Sequence, residues 1–310
     1  MTEQALRERI GSIEAELGVT ATMHAIDVDT GEEFGVAADD LVVPASIFKV
    51  PVLTELCCRF ADGSIDPAQG MFIAREAFRT PGDTGLSVFL DDVTLSVFLD
   101  DVTLSVRDLA VSMMSVSDNR ATDILIDLLG LDAINERSRR LGLEQTVLVE
   151  DCAGLFRTMV EDAGVDVDDP AWQHPDDSLR ERLAGMRVLD ASATNRTTPR
   201  EVTASLALLW DEGGVLAPAA TAEARRILSL QVWPHRLKAG FPDSRIRISG
   251  KTGTLPYLRN EAGMIEYPDG GRYAVAVFVR ETLEEPRNID ADRSIGLIGR
   301  AVVDELRSRV

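Results

Sequence analysis

Leu6, Ile10, Ile13 and Leu17 recur at three- and four-residue intervals, which predicts an amphipathic helix over residues 3–17. The period then changes. ATMHAIDVDT (21–30) alternates apolar and polar positions, Asp29-Thr30-Gly31 supplies a turn and EEFGVA follows, the signature of a β-hairpin. From Ser46 to about residue 215 helical spacing dominates. Alternation returns in SRIRISGKTG (244–253), AGMIEY (262–267) and RYAVAVFVRE (272–281), and a helix over 291–309 closes the chain. Strands at both ends of a helical middle predict an α+β protein with one antiparallel sheet built from the two ends. On that reading residues 1–42 and 200–310 form the sheet part, and 43–199 a helical subdomain.

Two stretches interrupt the pattern. LSVFLDDVT occurs at 86–94 and again, identically, at 95–103. Two nine-residue copies are too few to bury a solenoid core, so they read as a duplication forming an extended surface loop or hairpin before a helix near Ser105. Residues 161–186 are acidic, carry two prolines and break the helical spacing. They read as an inserted loop ending in a short helix, with Trp172 and His174 as its anchors to the body.

Composition narrows the class. The 310 residues are ample for a single large domain, and a net charge of -20 would repel nucleic acid and anionic membrane. Cys57, Cys58 and Cys152 give no disulfide framework, and the acidic, amphipathic start lacks the pattern of a secretory signal, so a cytoplasmic location is expected. Neither a metal nor a cofactor is expected. Carboxylates around His174 read as a solvated face, and the expected partner is a small-molecule substrate. The oligomeric state is left open.

Candidate chemistry begins with the lysines, of which there are three against 29 arginines. A desolvated lysine can become a neutral base, whereas arginine keeps its proton. Lys49 lies three residues after Ser46 in PASIFKVP, a spacing that puts hydroxyl and amine on one helix face. A serine at a helix N-terminus also sits beside free backbone N–H groups able to stabilise an oxyanion. Alone, the pair is equally an N-cap serine and a surface lysine. Ser117-Asp118-Asn119, between two apolar helical stretches, is by itself an ordinary cap. Lys251-Thr252-Gly253-Thr254, on a strand beginning at Ser244, is by itself an ordinary turn.

Together, Ser-x-x-Lys, Ser-Asp-Asn and Lys-Thr-Gly in this order form the set found in class A β-lactamases and penicillin-binding proteins. The chain resembles the class A-like serine β-lactamases, a branch of the penicillin-recognising serine hydrolases. DVDTGEEFGVAADDLVVPASIFKV, LSVRDLAVSMMSVSDNRATDIL, RTTPREVTASLALL and the stretch from RLKAGFP to KTGT carry the likeness. Only 86–103 and roughly 150–190 fall outside it. The resemblance implies a β-lactamase-like fold, a five-stranded antiparallel sheet flanked by helices plus an all-helical subdomain.

It also implies roles. Ser46 is the expected nucleophile, and Lys49 its proton acceptor or a partner to that base. Ser117, helped by Lys251, relays a proton to the leaving nitrogen, and Asn119 binds the substrate's acylamide side chain and Lys49. Thr252 and Thr254 bind a substrate carboxylate, with Gly253 between them. The N–H groups of Ser46 and Thr254 form the oxyanion hole, and Arg259 is either a supplement to carboxylate binding or a solvent-facing strand residue. The substrate is a β-lactam, amide or ester; a D-Ala-D-Ala-type peptidase or esterase and a non-turnover, acyl-trapping penicillin-binding protein are the alternatives.

One part of the pattern is missing. Class A β-lactamases carry an omega-loop glutamate that activates the hydrolytic water, in an Arg-x-Glu-Pro-x-x-Asn-like motif. LGLEQTVLVEDCAGLFRTM holds no such motif, and alignment on Thr146-Val147-Leu148 puts Cys152 near the glutamate's place. Glu150 and Asp151 are the nearest substitutes and Glu161 a more distant one. Acylation with slow deacylation is therefore expected, since a general base contributes ~10²–10⁴-fold.

Overall fold

The computed structural model describes residues 2–74, 100–165, 169–172, 174–282 and 288–309. Helix α1, Glu3–Leu17, starts where the Thr2 hydroxyl accepts the N–H of Ala5 and ends at Gly18 in the left-handed region. Its buried residues, Leu6 and Ile10, are two of the four apolar positions in the predicted stripe. Strand β1, Val19–Asp27, turns back into β2, Glu33–Val36, as the hairpin pattern predicts.

The remaining strands of the main sheet come from the far end of the chain: β5 (Arg247–Leu255), β6 (Leu258–Glu266) and β7 (Arg272–Glu281). Every pairing is antiparallel and the order is β2-β1-β7-β6-β5. The sheet thus closes through β1 against β7, the two chain ends meeting at its centre, and β5 is left as an edge. Alternate residues of β7 divide between two cores. Val275, Val277 and Val279 pack with α1 and the last helix, Ile289–Arg307, while Ala274, Ala276 and Phe278 face the helical layer.

That layer holds α2 (Lys49–Ala61), α3 (Val106–Ser115), α4 (Asn119–Leu129), α5 (Leu131–Arg140), α6 (Cys152–Ala163) and α7 (Asp177–Ala184). Helix α8, Pro199–Trp210, leads back to the sheet and α9, Pro218–Leu228, lies against α2. A short helix α10, Leu237–Gly240, precedes β5, and α11 is the closing helix Ile289–Arg307. These last two cross at glycines: a Cβ on Gly240 would stand 2.2 Å from the Gly296 carbonyl oxygen. No larger residue fits, and this contact sets the segment before β5 firmly on the sheet.

The stretch expected to be an inserted loop ending in a short helix does end in one, α7, and carries more helical structure before it than its composition implies. Helix α6 runs to Ala163, Pro170–Trp172 forms a 3-10 turn, and α7 follows. Trp172 is buried, as an anchor should be, whereas His174 is exposed. Most of the duplicated segment, residues 86–99, lies outside the described residues. The end of its second copy is in a short strand β4 (Val102–Ser105), where Val102 and Thr103 oppose Ile73 and Phe72 of β3 (Gly70–Ile73).

Candidate active site

Ser46 lies in a 3-10 turn, Ala45–Phe48, that runs directly into α2 at Lys49. Pro51 falls in the first turn of α2, where its missing N–H breaks no helical bond. The residue before the serine, Ala45, is held at φ +46°. Ala37 (φ +49°), Ser117 (φ +63°) and Tyr257 (φ +62°) are also non-glycine residues in this left-handed region. Each such residue costs on the order of 1–3 kcal/mol and is tolerated where the surroundings over-determine it. Two of these four, Ala45 and Ser117, are a motif serine or the neighbour of one.

Lys49 is fully buried, and its ammonium is enclosed by acceptors. Nζ donates to the Ser117 carbonyl at 2.8 Å, to Ser117 Oγ at 3.0 Å and to Asn119 Oδ1 at 2.7 Å. The first and second motifs are therefore joined through one amine. Burial pushes the Lys49 ammonium below the usual lysine range, while the carboxylates of Asp118 and Asp123 oppose that shift. The capping alternative for the second motif holds too, but for its middle residue. Asp118 Oδ1 accepts the N–H of Ala121 at the start of α4, and Ser112 Oγ donates to its other oxygen. Asp118 thus builds the turn that presents Ser117 and Asn119.

The third motif occupies the sheet edge. Lys251 is fully buried and donates to the Thr252 carbonyl at 2.9 Å. The hairpin from β5 to β6 closes on the Leu255–Leu258 pair, so main-chain bonding to β6 alternates from there. Thr252 and Thr254 consequently turn their N–H groups to the open edge. The phase is visible at Thr252, whose N–H donates to Gln231 Oε1 at 2.6 Å. Gly253 is where the motif meets the nucleophile: a Cβ there would stand 2.7 Å from the Pro44 carbonyl oxygen and 3.1 Å from Ser46 N. The glycine is required by the backbone of the serine's own turn. Its place in the motif needs no appeal to a ligand.

Arg236 belongs to this site and was not singled out from the sequence. It is fully buried, with Nε on Asp292 Oδ1 at 2.6 Å, Nη1 on the Gly253 and Asn260 carbonyls and Nη2 on Thr254 Oγ1 at 2.8 Å. One cation among 29 arginines gives no signal; only its place in RLKAGFP marked the region. Arg259 is also buried, and it pairs with Glu281 at 3.1 Å while donating to the Leu255 and Leu258 carbonyls. Of its two expected roles, the solvent-facing one is overturned by this burial. Lys238 donates to the Ile246 carbonyl.

The α6 side differs. Cys152 Sγ lies 3.3 Å from Asn119 Oδ1, the oxygen that also receives Lys49. Burial, with Asp123 adding to it, raises this thiol well above the ordinary range, so it is a neutral S–H group. Asp123 on α4 accepts the N–H of Cys152 at 2.8 Å and of Ala153 at 3.1 Å, tying the start of α6 to the site. Burial and Asp151 push the Asp123 carboxyl up to about 6, against the two N–H groups and Lys49. Asp151 caps α6 by accepting the Gly154 N–H, and Glu150 receives the Thr194 hydroxyl. Burial raises the Glu150 carboxyl. Glu161 forms an exposed ion pair with Arg187.

Ser46 and Lys49 thus adjoin in sequence, Lys49 draws in Ser117 and Asn119, and Gly253 brings β5 against the serine's turn. Among the described residues no group of His, Cys, Asp and Glu is arranged to hold a metal, and no helix is long and apolar enough to cross a membrane. The family profile described as the β-lactamase enzyme family matches residues 4–306. A curated relative, the β-lactamase regulatory protein BlaB of Streptomyces cacaoi, is 28% identical over 326 residues, covering 99% of this chain and 98% of that protein. A β-lactamase from Sphaerobacter thermophilus has the same fold, with a TM-score of 0.75, 24% identity and 99% of each chain covered. PBP-A matches with a TM-score of 0.73 and 20% identity, over 98% of this chain and 96% of that one. With its motifs, its sheet and its helical layer in agreement over nearly the whole length, the chain belongs to the β-lactamase enzyme family.

Proposed function

We propose that this protein is a serine hydrolase that forms an acyl-enzyme at Ser46 with a β-lactam or a related amide or ester, and releases it slowly. The observation that carries the reading is the buried Lys49, bonded to Ser117 and Asn119 and one helical turn from Ser46. Neutral Lys49 takes the Ser46 proton as Oγ attacks the carbonyl carbon, and the Ser46 and Thr254 N–H groups receive the developing oxyanion. The carbonyl C–N bond then breaks. The leaving nitrogen takes its proton from Ser117, which is replenished through Lys49 or Lys251. The substrate carboxylate is met by Thr252 and Thr254, with Arg236 behind the Thr254 hydroxyl.

Slow release follows from Cys152. The side of the chamber beside Lys49 and Asn119 presents a neutral thiol, which is a poor base for water. Asp151 and Glu150 are engaged with α6 and Thr194. A protein that keeps its acyl group suits signalling better than drug destruction, in line with a relative named as a regulatory protein. Three free cysteines suit a reducing, cytoplasmic setting. Intact-mass spectrometry after incubation with benzylpenicillin tests the reading. The expected result is one drug equivalent, on the peptide containing Ser46, and no addition to Ser46→Ala. No adduct with penicillins, cephalosporins or activated esters would overturn it.

A further inference from the structure

The site holds a carboxyl group that the acylation chemistry does not use. Asp123 is buried on α4, one turn after Asn119, and both its oxygens accept main-chain N–H groups from the first residues of α6. An amide side chain could satisfy only one of those donors, because its NH₂ would face the other. The carboxylate therefore has a positional reason to exist. It also has an electrostatic consequence, because it lies in the same dry chamber as Lys49.

We propose that Asp123 is a positioning residue that clamps Cys152 into the chamber wall and adds, beside Asp118, a negative charge against which Lys49 must lose its proton. The inference rests on the reading of Lys49 as the proton acceptor for Ser46. The groups facing Lys49 are Ser117, Asp118 and Asn119 from the turn and start of α4, Asp123 further along α4, and Cys152 from α6. Asp151 at the head of α6 acts in turn on Asp123, and Lys251 on β5 is the other motif cation. Among these, Asp118 is committed to capping α4 and bonding Ser112, whereas Asp123 reaches across to the α6 wall. A site with an acidic clamp holds Lys49 protonated to higher pH than the same site with a neutral clamp. The clamp thus restrains the nucleophile while it fixes the wall that slows release.

The chain's three lysines make a direct test practicable. Lysine labelled with ¹³C at Cε gives three resonances, assigned with Lys49→Arg, Lys238→Arg and Lys251→Arg. The Lys49 signal is followed against pH without substrate, so the outcome does not depend on whether Ser46 acylates. Asp123→Asn should lower the Lys49 midpoint by about one pH unit, the scale of a single nearby charge. An unchanged or raised midpoint overturns the proposal. Should Asp123→Asn fail to fold, the wild type still decides. Its Lys49 signal should show a second, smaller inflection near the pH of about 6 at which Asp123 titrates, and a single inflection overturns the proposal. Cys152→Ala, which keeps Asp123, should move the midpoint much less than Asp123→Asn does; an equal shift assigns the effect to the wall and overturns the charge role.

Discussion

The two sides of the Lys49 chamber are built on opposite principles. On the α2–α4 side the motif polar groups are joined: Lys49 donates to three oxygens of Ser117 and Asn119, and Asp118 holds the turn that carries them. On the α6 side the chamber meets a neutral thiol, and the nearby carboxyls serve α6, Thr194 and the α6 backbone. On the proposed mechanism the first side makes an ester and the second lacks a base to break it. Acylation and deacylation would then be separable in the fold, because they depend on different elements.

Substitutions on each side should break this contrast in different ways. The largest effect belongs to Lys49→Ala, which removes the proton acceptor and the amine linking Ser117 to Asn119. The acylation rate, read by stopped-flow with a fluorescent penicillin, should fall at least about 10³-fold; a fall below tenfold would assign the base elsewhere. Next comes Cys152→Glu, which puts a carboxylate beside Asn119. Release of the acyl group should accelerate by about 10²-fold, measured as loss of adduct mass with time. No acceleration in a folded variant would show that the thiol is not what limits water attack.

Stability changes follow. Arg236→Ala strips the partner from Asp292 and frees the Thr254 hydroxyl and two carbonyls, at a cost of about 3 kcal/mol in urea unfolding. A smaller loss, about 1–3 kcal/mol, is expected for Gly253→Ala, whose methyl group would press on the Pro44 carbonyl and displace the Ser46 turn. Slower acylation should accompany that loss, and unchanged acylation would uncouple β5 from the nucleophile.

The smallest effect is a pH dependence. The folded Asp123 carboxyl, at about 6, lies above the unfolded value of 3.8, so folding takes up a proton in between. Its stabilising contribution is complete below pH 3.8 and lost as pH rises through about 6. Asp123→Asn lacks this loss. Its stability relative to wild type should therefore improve by about 2 kcal/mol from pH 4 to pH 7, by denaturant titration at both values.

Much of this was legible in the sequence. The stripe Leu6–Ile10, the strand segments β1, β5, β6 and β7, and the two-ended sheet follow from apolar positions that the two cores bury. The motif lysines stood out because lysine is scarce and the neighbours of Ser46, Ser117 and Lys251 restricted the chemistry. Arg236 did not stand out, because its role is set by packing of α10 against α11 at Gly240 and Gly296, a contact between segments over 50 residues apart. Charge and prolines over 161–186 point to a loop ending in a short helix. Its closing short helix is α7, capped by Asp176, and the burial of Trp172 adds a 3-10 turn that charge and prolines did not reveal. Cys152 was placed near the missing glutamate by alignment, but only three-dimensional proximity puts its sulfur on Asn119.

The central claim, that the chamber makes an acyl-enzyme which it cannot readily break, is tested most directly by a burst experiment. Mixing the protein with excess chromogenic cephalosporin should release one equivalent of colour per Ser46, followed by a nearly flat phase. In Cys152→Glu the same burst should run on into continuous turnover. Linear turnover by the wild type, or the absence of any burst at saturating substrate, would contradict the account.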